Sequence, residues 1–222
     1  MKTLLTFITA LLFTVGTAFA QSNDASIDQV GDDHEATITQ VGATNSASVE
    51  QTADAGREGD DIGTATVDQD GTGNVVGLRQ RAFYGDAEAT ITQIGDNNRV
   101  DDFYQNHGLN LLDVSMTGND NVLYGTQGES QKNANSLLLS VIGNSNDMGT
   151  FQHYGSAEVN IDGDYNEVLL SQRSSHSSTE QTANIDLIGS DNFVDVTQTG
   201  ESHTANVDVS GSFNSATITQ HN

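Results

Sequence analysis

The sequence predicts an all-β protein, a flattened β-solenoid with two strands per coil, about 8.5 coils and amyloid-like stacking. Three observations predict this fold. A unit of about two dozen residues recurs along the chain, polar and apolar residues alternate within each unit, and no proline occurs among the 222 residues. A repeat of this length is typical of solenoids, in which equivalent side chains of successive coils stack in columns. Proline would remove a backbone donor from a central strand, so its absence suits a chain of paired strands.

Glutamine, asparagine and glycine mark each unit. Each of the last eight recurring glutamines follows an asparagine by six residues, or seven once, and that asparagine follows a glycine by three. Glycine permits positive φ and asparagine tolerates left-handed conformations, so both suit a tight arc. The glutamines are Gln29, Gln51, Gln80, Gln105, Gln127, Gln152, Gln172, Gln198 and Gln220. The asparagines are Asn45, Asn74, Asn98, Asn121, Asn146, Asn166, Asn192 and Asn214. The glycines are Gly42, Gly71, Gly95, Gly118, Gly143, Gly163, Gly189 and Gly211, preceded by Gly31.

The unit at 36–51, ATITQVGATNSASVEQ, shows how each part folds. On both sides of its Gly-x-x-Asn segment, apolar residues or glutamine alternate with Thr, Ser or Glu. Period-two alternation predicts a strand with one buried face, so the unit is an a strand, a short arc and a b strand. It recurs at 65–80, 89–105, 112–127, 137–152, 157–172, 183–198 and 205–220. A half unit at 25–34 precedes them, with His34 in place of the arc asparagine, which brings the total to seventeen strands.

The two strands of the unit differ in their glutamines. Every b strand keeps its glutamine, whereas the a strands end in Gln40, Gln69 and Gln93 and then change to an apolar residue. Stacked at about 4.8 Å, each buried glutamine amide can donate to the carbonyl of the next glutamine in its column. Such ladders are also a signature of cross-β order. The apolar residues that replace glutamine are Met116, Val141, Ile161, Leu187 and Val209.

Length variation falls on one edge of the predicted solenoid. The a-to-b arc is nearly constant, whereas the b-to-a connection varies, so insertions lie where loops are tolerated. One unit has an extra residue between Asn98 and Gln105, which predicts a β-bulge near Val100–Phe103. A coil buries only about four apolar side chains, worth roughly 1.5–3 kcal/mol for each large one. This cannot offset an ordering entropy of about 1–2 kcal/mol per residue, so stacking on neighbouring coils is required.

The first twenty residues are expected to lie outside the fold. Lys2, the apolar stretch Leu4 to Phe13 and the small-x-small site Ala18–Ala20 are typical of a secretory signal peptide. We therefore expect a signal peptide at 1–20, a short segment at 21–24, one solenoid domain at 25–220 and a tail at 221–222. The apolar stretch is too short to span a membrane, and no later one is longer. No cysteine is present, so no disulfide holds the exported chain.

The chain is strongly acidic. Without Lys2 it has six Lys and Arg residues against 31 Asp and Glu residues, a formal net charge of about −25. Nucleic acid is excluded as a partner, because phosphate binding needs a basic face. The acids form a solvated surface or serve a cation-dependent role. Asp60, Asp61, Asp101 and Asp102 are predicted to act as gatekeepers against premature aggregation.

Neither end of the predicted solenoid carries a proline, helix or lysine-rich cap. Solenoids usually have capping repeats, and exposed strand edges are normally suppressed. Two uncapped ends predict head-to-tail stacking, a contact that does not close and therefore builds a filament. The chain itself is the expected partner.

Three other functions compete with this interpretation. A monomeric, calcium-dependent β-solenoid adhesin would suit the acidity, but the Gly-Gly-x-Gly-x-Asp repeat is missing. An ice-binding solenoid needs a continuous threonine column, which is broken here. A carbohydrate-cleaving enzyme would need gathered catalytic groups, yet the histidines are scattered and no catalytic motif occurs. We assign no catalytic, metal or cofactor residues. Tyr84, Tyr104, Tyr124 and Tyr154 are expected to pack locally, the alternative being a sugar-binding stripe.

The pattern Ala-x-Ile-x-Gln-x-Gly-x-x-Asn-x-Ala-x-Ile/Val-x-Gln at Ala36–Gln51 and Ala205–Gln220 resembles the curlin repeat. The resemblance extends over residues 25–220. It implies a functional amyloid of the curli type, which is an exported subunit that polymerises at the cell surface into adhesive fibres of the biofilm matrix, or that nucleates them. It also implies a flattened β-solenoid, a related subunit or nucleator as partner, and an outer-membrane secretion channel.

Overall fold

The computed structural model describes residues 22–53, 62–82, 85–106, 109–128, 135–174 and 181–222. The predicted signal peptide therefore lies outside the described residues, as do Asp60, Asp61 and Tyr84. The strands are β1 (Asp24–Val30), β2 (Glu35–Ala43), β3 (Ser46–Ala53), β4 (Gly63–Thr72), β5 (Val75–Ala82), β6 (Ala87–Ile94), β7 (Arg99–Asn106), β8 (Asn110–Thr117), β9 (Val122–Gly128), β10 (Asn135–Ile142), β11 (Asp147–His153), β12 (Gly155–Asp162), β13 (Glu167–Arg173), β14 (Gln181–Ile188), β15 (Phe193–Thr199), β16 (Thr204–Ser210) and β17 (Ser215–His221).

The strands form two parallel sheets. The odd-numbered strands make one sheet of nine in the order β1-β3-β5-β7-β9-β11-β13-β15-β17, and the even-numbered strands make one of eight from β2 to β16. We call these the b sheet and the a sheet, after the strands of the repeat. Each strand pairs with the equivalent strand of the next coil, so the chain crosses from one sheet to the other at every connection. The predicted all-β solenoid with two strands per coil is confirmed.

The core lies between the two sheets and is built by alternation. Inward positions of the strands are buried and outward positions are exposed or half-buried, as in β14 and β15. Val67, Ile91 and Val114 are neighbours on successive a strands, and each is fully buried. The same apolar residues could not be covered by a single coil, because each strand relies on the strand above and the strand below for its neighbours.

The predicted β-bulge is confirmed. Between β5 and β7 the register shifts, so that Gly77 faces two residues, Asp101 and Asp102. The shift recurs between β7 and β9, where Gly125 faces the bulged segment. Asp102 has a φ of 44°, and the bulge absorbs the extra residue, so that Phe103 still points inward, where it is fully buried. A Cβ at Gly77 would lie 3.1 Å from the backbone nitrogen of Asp102, so glycine at this position leaves room for the bulge.

Candidate functional site

The b sheet carries an unbroken ladder of glutamine amides through the core. In every pair, Nε2 of one glutamine donates to Oε1 of the glutamine in the next coil, at 2.7 to 3.1 Å. The second Nε2 hydrogen goes to a backbone carbonyl of the preceding a strand, as from Gln127 to Leu111. The inner members are at most 2 % exposed. The ladder consists of Gln29, Gln51, Gln80, Gln105, Gln127, Gln152, Gln172, Gln198 and Gln220.

A shorter ladder lies in the a sheet. Gln40 donates to Gln69 at 2.8 Å, and Gln69 donates to Gln93 at 2.9 Å. The next member of this column is Met116, which ends the ladder. Gln93 keeps a bond to the Val75 carbonyl at 3.2 Å, so the last amide of the ladder still has a partner. A glutamine ladder can therefore end inside the core at a glutamine whose Nε2 has no further glutamine to donate to.

Asparagines make a second column at the a-to-b arcs. From Asn45 to Asn192, each side-chain Oδ1 accepts the backbone N–H of the next asparagine, at 2.9 to 3.2 Å. Each Nδ2 of the same asparagines donates to the carbonyl of the next arc glycine, as from Asn121 to Gly143 at 2.8 Å. The remaining pairs of this kind follow the same order along the stack. One side chain thus ties each arc to the next one.

The arc glycines have no space for a side chain. Gly143 has a φ of 137°, a conformation that L residues rarely adopt. A Cβ at this position would also strike the carbonyl oxygen of Gly163 in the next coil. Equivalent collisions would occur at Gly42, Gly71, Gly95, Gly118, Gly163 and Gly189. The spacing of the coils is therefore set at the arcs by glycine backbone in direct contact with glycine backbone.

The first member of the asparagine column is Asn23, which our sequence analysis missed. Its Oδ1 accepts the backbone N–H of Asn45 at 3.0 Å, and its Nδ2 donates to the Gly42 carbonyl at 3.1 Å. The signal was present, since Asn23 precedes Gln29 by the usual six residues.

The prediction that His34 replaces the arc asparagine was wrong. His34 lies at the opposite, b-to-a edge, where its Nδ1 accepts from the Gly63 N–H at 2.9 Å.

The alternative of a tyrosine stripe is not formed by the described tyrosines. Tyr104 pairs with Thr126, while Tyr124 pairs with Asp101 on one side, so the two rings belong to different columns. The Tyr124 ring covers the position where Gly149 lacks a side chain. Tyr154 lies in a connection and packs on His153 with ring centroids 4.7 Å apart. These contacts are local packing contacts.

Charged residues lie mainly on the outer surfaces. Ion pairs among the described residues include those of Arg79 with Glu50 and Asp102, and of Arg99 with Asp101. These side chains are about half exposed or more, so the pairs contribute little stability. Partial removal from water raises the pKa of the Asp147 carboxyl above its ordinary value. The same cause, followed by the charge of Asp147, raises the pKa of the Tyr124 hydroxyl.

Within the ranges that the structure describes, His, Asp and Glu residues do not come together in groups of three or more that could hold a metal ion. None of the described residues forms a helix able to cross a membrane. The threonine column proposed for ice binding is interrupted as the sequence suggested, because Thr37, Thr66 and Thr90 are followed by Asp113.

Four strands have a neighbour on one side only: β1 and β17 in the b sheet, and β2 and β16 in the a sheet. The glutamine ladders end at these edges with opposite polarity. Oε1 of Gln29 and of Gln40 receives no hydrogen bond from the described residues, whereas Nε2 of Gln220 donates only to the Thr204 carbonyl and has a hydrogen left. One end of the stack thus offers acceptors and the other offers a donor.

The family model described as Curlin associated repeat matches residues 20–52 and 189–221. These two segments contain the strands at both open ends of the stack, β1 to β3 and β15 to β17. The comparisons with curated proteins and with solved structures gave no match. The curlin repeat is thus matched at both open ends of the stack, and the same strand–arc–strand unit is stacked between them.

Proposed function

We propose that this protein is a secreted structural subunit that polymerises head to tail into cross-β surface fibres of the curli type, or nucleates such fibres. In this proposal the N-terminal segment at 1–20 directs export, and a curli-type outer-membrane channel and a related curlin subunit or nucleator are partners. The fibres serve adhesion and the biofilm matrix. The curlin repeats matched at both ends of the stack, and the open edges of those ends, support the proposal.

The observation that carries the proposal is the pair of unfilled ends. Parallel strands with one neighbour expose a row of backbone donors and acceptors, and folded proteins normally block such edges. Here the edge strands have the same side-chain order as the inner strands. The acceptor end at Gln29 and Gln40 and the donor end at Gln220 complement each other. Contact between unlike ends leaves both partners with a new open end, so growth continues without closure.

The apolar column shows the same incompleteness. Ile27 on β1 is 46 % exposed, although its neighbour in the column, Val49 on β3, is 1 % exposed. Ile218 on β17 is half-buried, while Val196 next to it is fully covered. A further strand at each end would bury these side chains, at roughly 25 cal/mol per Å² of apolar surface removed from water. Polymer formation thus completes a core that the single chain leaves open.

Purified protein lacking residues 1–20 tests the proposal. Incubated alone, it is expected to form thioflavin-positive fibres with reflections at about 4.8 and 10 Å. Ile27→Lys places a charge on the open face and is expected to abolish fibre formation or prolong its lag at least tenfold. Ile94→Lys is the matched control, since Ile94 is also 46 % exposed but points outward from β6. Both variants change the net charge equally, so the control is expected to polymerise.

Two results would overturn the proposal. One is a wild-type protein that remains a monomer of β structure at concentrations where fibres are expected, including after addition of fibre seeds. Such a protein would favour the adhesin alternative, which calcium binding to the monomer would then test. The other is equal inhibition by both lysine substitutions, because the open end would then have no special role.

A further inference from the structure

In the part of the chain that the structure describes, the two sheets contain different numbers of strands, nine in the b sheet and eight in the a sheet. This matters for any head-to-tail fibre, because both sheets must advance by the same distance for each added subunit. If successive copies had the same orientation, β1 of one copy could pair with β17 of its neighbour. The next β2 would then stand two strand spacings from β16, and two edges of the a sheet would remain unpaired.

A half-turn removes this mismatch. The chain reverses at each arc, so the a strands and b strands run in opposite directions across the core. Rotating a copy by 180° about the stacking axis therefore places its b strands parallel to the a strands of its neighbour. Resting on the polymerisation proposed above, we infer that successive subunits are related by a half-turn, with β1 pairing with β16 and β2 with β17 of the adjacent copy. All four open edges are then paired.

The side chains support the pairing of β2 with β17. Both strands contain the sequence ATITQ, at 36–40 and 216–220. In register, Gln220 meets Gln40, and its remaining Nε2 hydrogen faces an Oε1 that accepts no bond within the described residues. Ile218 meets Ile38, both half-buried in the single chain. The b-sheet ladder of one copy would thus continue into the short a-sheet ladder of the next.

The connections and the second strand pair also fit. The half-turn places the connection 31–34 on the arc 211–214, and both have four residues of the form Gly-x-x-His or Gly-x-x-Asn. Their φ values agree, with 124° and 60° at positions 31 and 33 and 113° and 60° at positions 211 and 213. In the other pair, Ile27 covers Val207, and Gln29 meets Val209. The chain already contains a contact between glutamine and an apolar neighbour in one column, between Gln93 and Met116, although there the donor side of the glutamine faces the apolar residue.

Engineered cysteines distinguish the two orientations, because the chain contains no native cysteine. Adjacent strands are about 4.8 Å apart, within the Cα separation that a disulfide spans. Thr39→Cys with Thr219→Cys becomes adjacent between copies only after a half-turn. Asp28→Cys with Thr219→Cys becomes adjacent only without rotation. All three side chains are exposed and outward-facing, so the two double variants differ in register and not in access.

Fibres of each double variant are to be oxidised, or treated with a short bis-alkylating reagent, and separated on non-reducing gels. We expect a ladder of covalent oligomers from the first variant and at least tenfold less from the second. A further pair, Asp28→Cys with Asp208→Cys, joins β1 to β16 and is expected to cross-link as well. Electron microscopy of wild-type fibres provides a label-free check, with a half-turn and a rise of about 41 Å per subunit, or 8.5 strand spacings.

Cross-linking of the second variant alone would overturn the half-turn and support copies of one orientation. Fibres in which none of the pairs cross-link would also overturn it, because neither register would exist. A complete lack of fibres in the wild-type protein would instead contradict the proposed polymerisation itself. Failure of the half-turn and failure of polymerisation therefore give different results.

Discussion

At the residue scale, the arcs consist of closely packed groups that leave no room for a larger residue. Glycine backbone contacts glycine backbone from coil to coil, and the asparagine beside it donates across the same gap. A side chain at an inner arc glycine must displace a whole coil, since the obstructing atom is a carbonyl oxygen and not a flexible side chain. The terminal glycine of the column, Gly211, has no such neighbour in the single chain.

This difference yields a matched pair of substitutions. Gly143→Ala is expected to destabilise the monomer by more than about 3 kcal/mol, because the strained φ costs about 1–3 kcal/mol and the backbone collision adds to it. Gly211→Ala also has a positive φ, but its new methyl group would meet only the Asn214 side chain, at an ordinary contact distance of 3.4 Å. It is expected to lose only the φ contribution. Urea unfolding of freshly purified monomer, followed by circular dichroism, measures both, and equal losses would contradict the role of coil contact.

Asp147 makes stability depend on pH. Partial removal from water raises the pKa of this carboxyl, so the folded chain holds its proton more tightly than the unfolded chain does. The charged form therefore disfavours the fold, and stability is lost as pH rises from the ordinary aspartate range through the raised pKa. Asp147→Asn is expected to raise the melting temperature at pH 7 only slightly, because solvent screens the charge of this exposed carboxyl.

The gain from Asp147→Asn is expected to vanish at a pH where the carboxyl is protonated in both states. Asp70→Asn is a suitable control, since it removes the same charge from an exposed outward position on β4. Melting curves at acid and neutral pH compare the two variants. A gain for Asp147→Asn that is unchanged in acid, or matched by Asp70→Asn, would show that loss of net charge and not desolvation is the cause.

At the scale of single strands, the bulge in β7 absorbs one inserted residue. The side chains on either side of it still alternate between inward and outward positions. Asp102 adds one residue, takes a positive φ and faces glycine on both neighbouring strands. Val100 and Phe103 consequently both point into the core. Without the extra residue, the same two side chains would still alternate correctly, because Asp101 alone would separate them.

Deleting Asp102 is therefore expected to leave the fold intact and to raise the stability of the monomer by about 1 kcal/mol, through loss of the positive φ. Its surface contact with Arg79, at 3.5 Å, is worth little. Deleting Thr197 from the regular strand β15 is the control. That deletion turns Gln198 outward and is expected to destabilise the chain strongly. Chemical denaturation compares the two, and strong destabilisation by the Asp102 deletion would mean that the bulge itself supports the fold.

The strands and the bulge could be predicted because period-two alternation and a fixed Gly-x-x-Asn spacing are local signals. The position of His34 could not be predicted in this way. Gly-x-x-His at 31–34 has the same form as the arc sequence, and only pairing of β1 with β3 shows that it lies at the opposite edge. Asn23 was missed because its strand has no preceding a strand, although its spacing to Gln29 is regular. Which strand pairs with each edge strand depends on the order of the strands in the sheet, and the spacing of residues in the sequence does not give that order.

At the scale of the whole molecule, charge opposes the assembly that the open edges favour. About three net negative charges per coil lie on a stack whose coils are about 4.8 Å apart. A Debye length of about 8 Å in physiological salt covers nearly two coils, so approaching ends repel each other. The described acids near the acceptor end include Asp24, Asp28 and Glu35. Assembly must therefore respond to any condition that lowers this charge or screens it.

We expect the lag before fibre growth to be long at low salt and neutral pH, and to shorten several-fold in acid or on addition of a divalent cation. Thioflavin kinetics of the protein lacking residues 1–20 measure the lag. Sodium chloride at matched ionic strength separates screening from cation binding, since only binding makes calcium more effective than sodium. A lag that is indifferent to pH, salt and calcium would contradict the electrostatic barrier.

Deuterium exchange of the glutamine side-chain amides, read by NMR with residue-specific labelling, tests most directly whether buried ladders connect coil to coil and copy to copy. In the monomer, the amides of Gln51 to Gln198 in the b sheet are expected to be protected, and that of Gln220, which has one unbonded hydrogen, to exchange much faster. In fibres, Gln220 is expected to become as protected as the inner members. Free exchange of the inner glutamines in the monomer, or of Gln220 in fibres, would contradict the account.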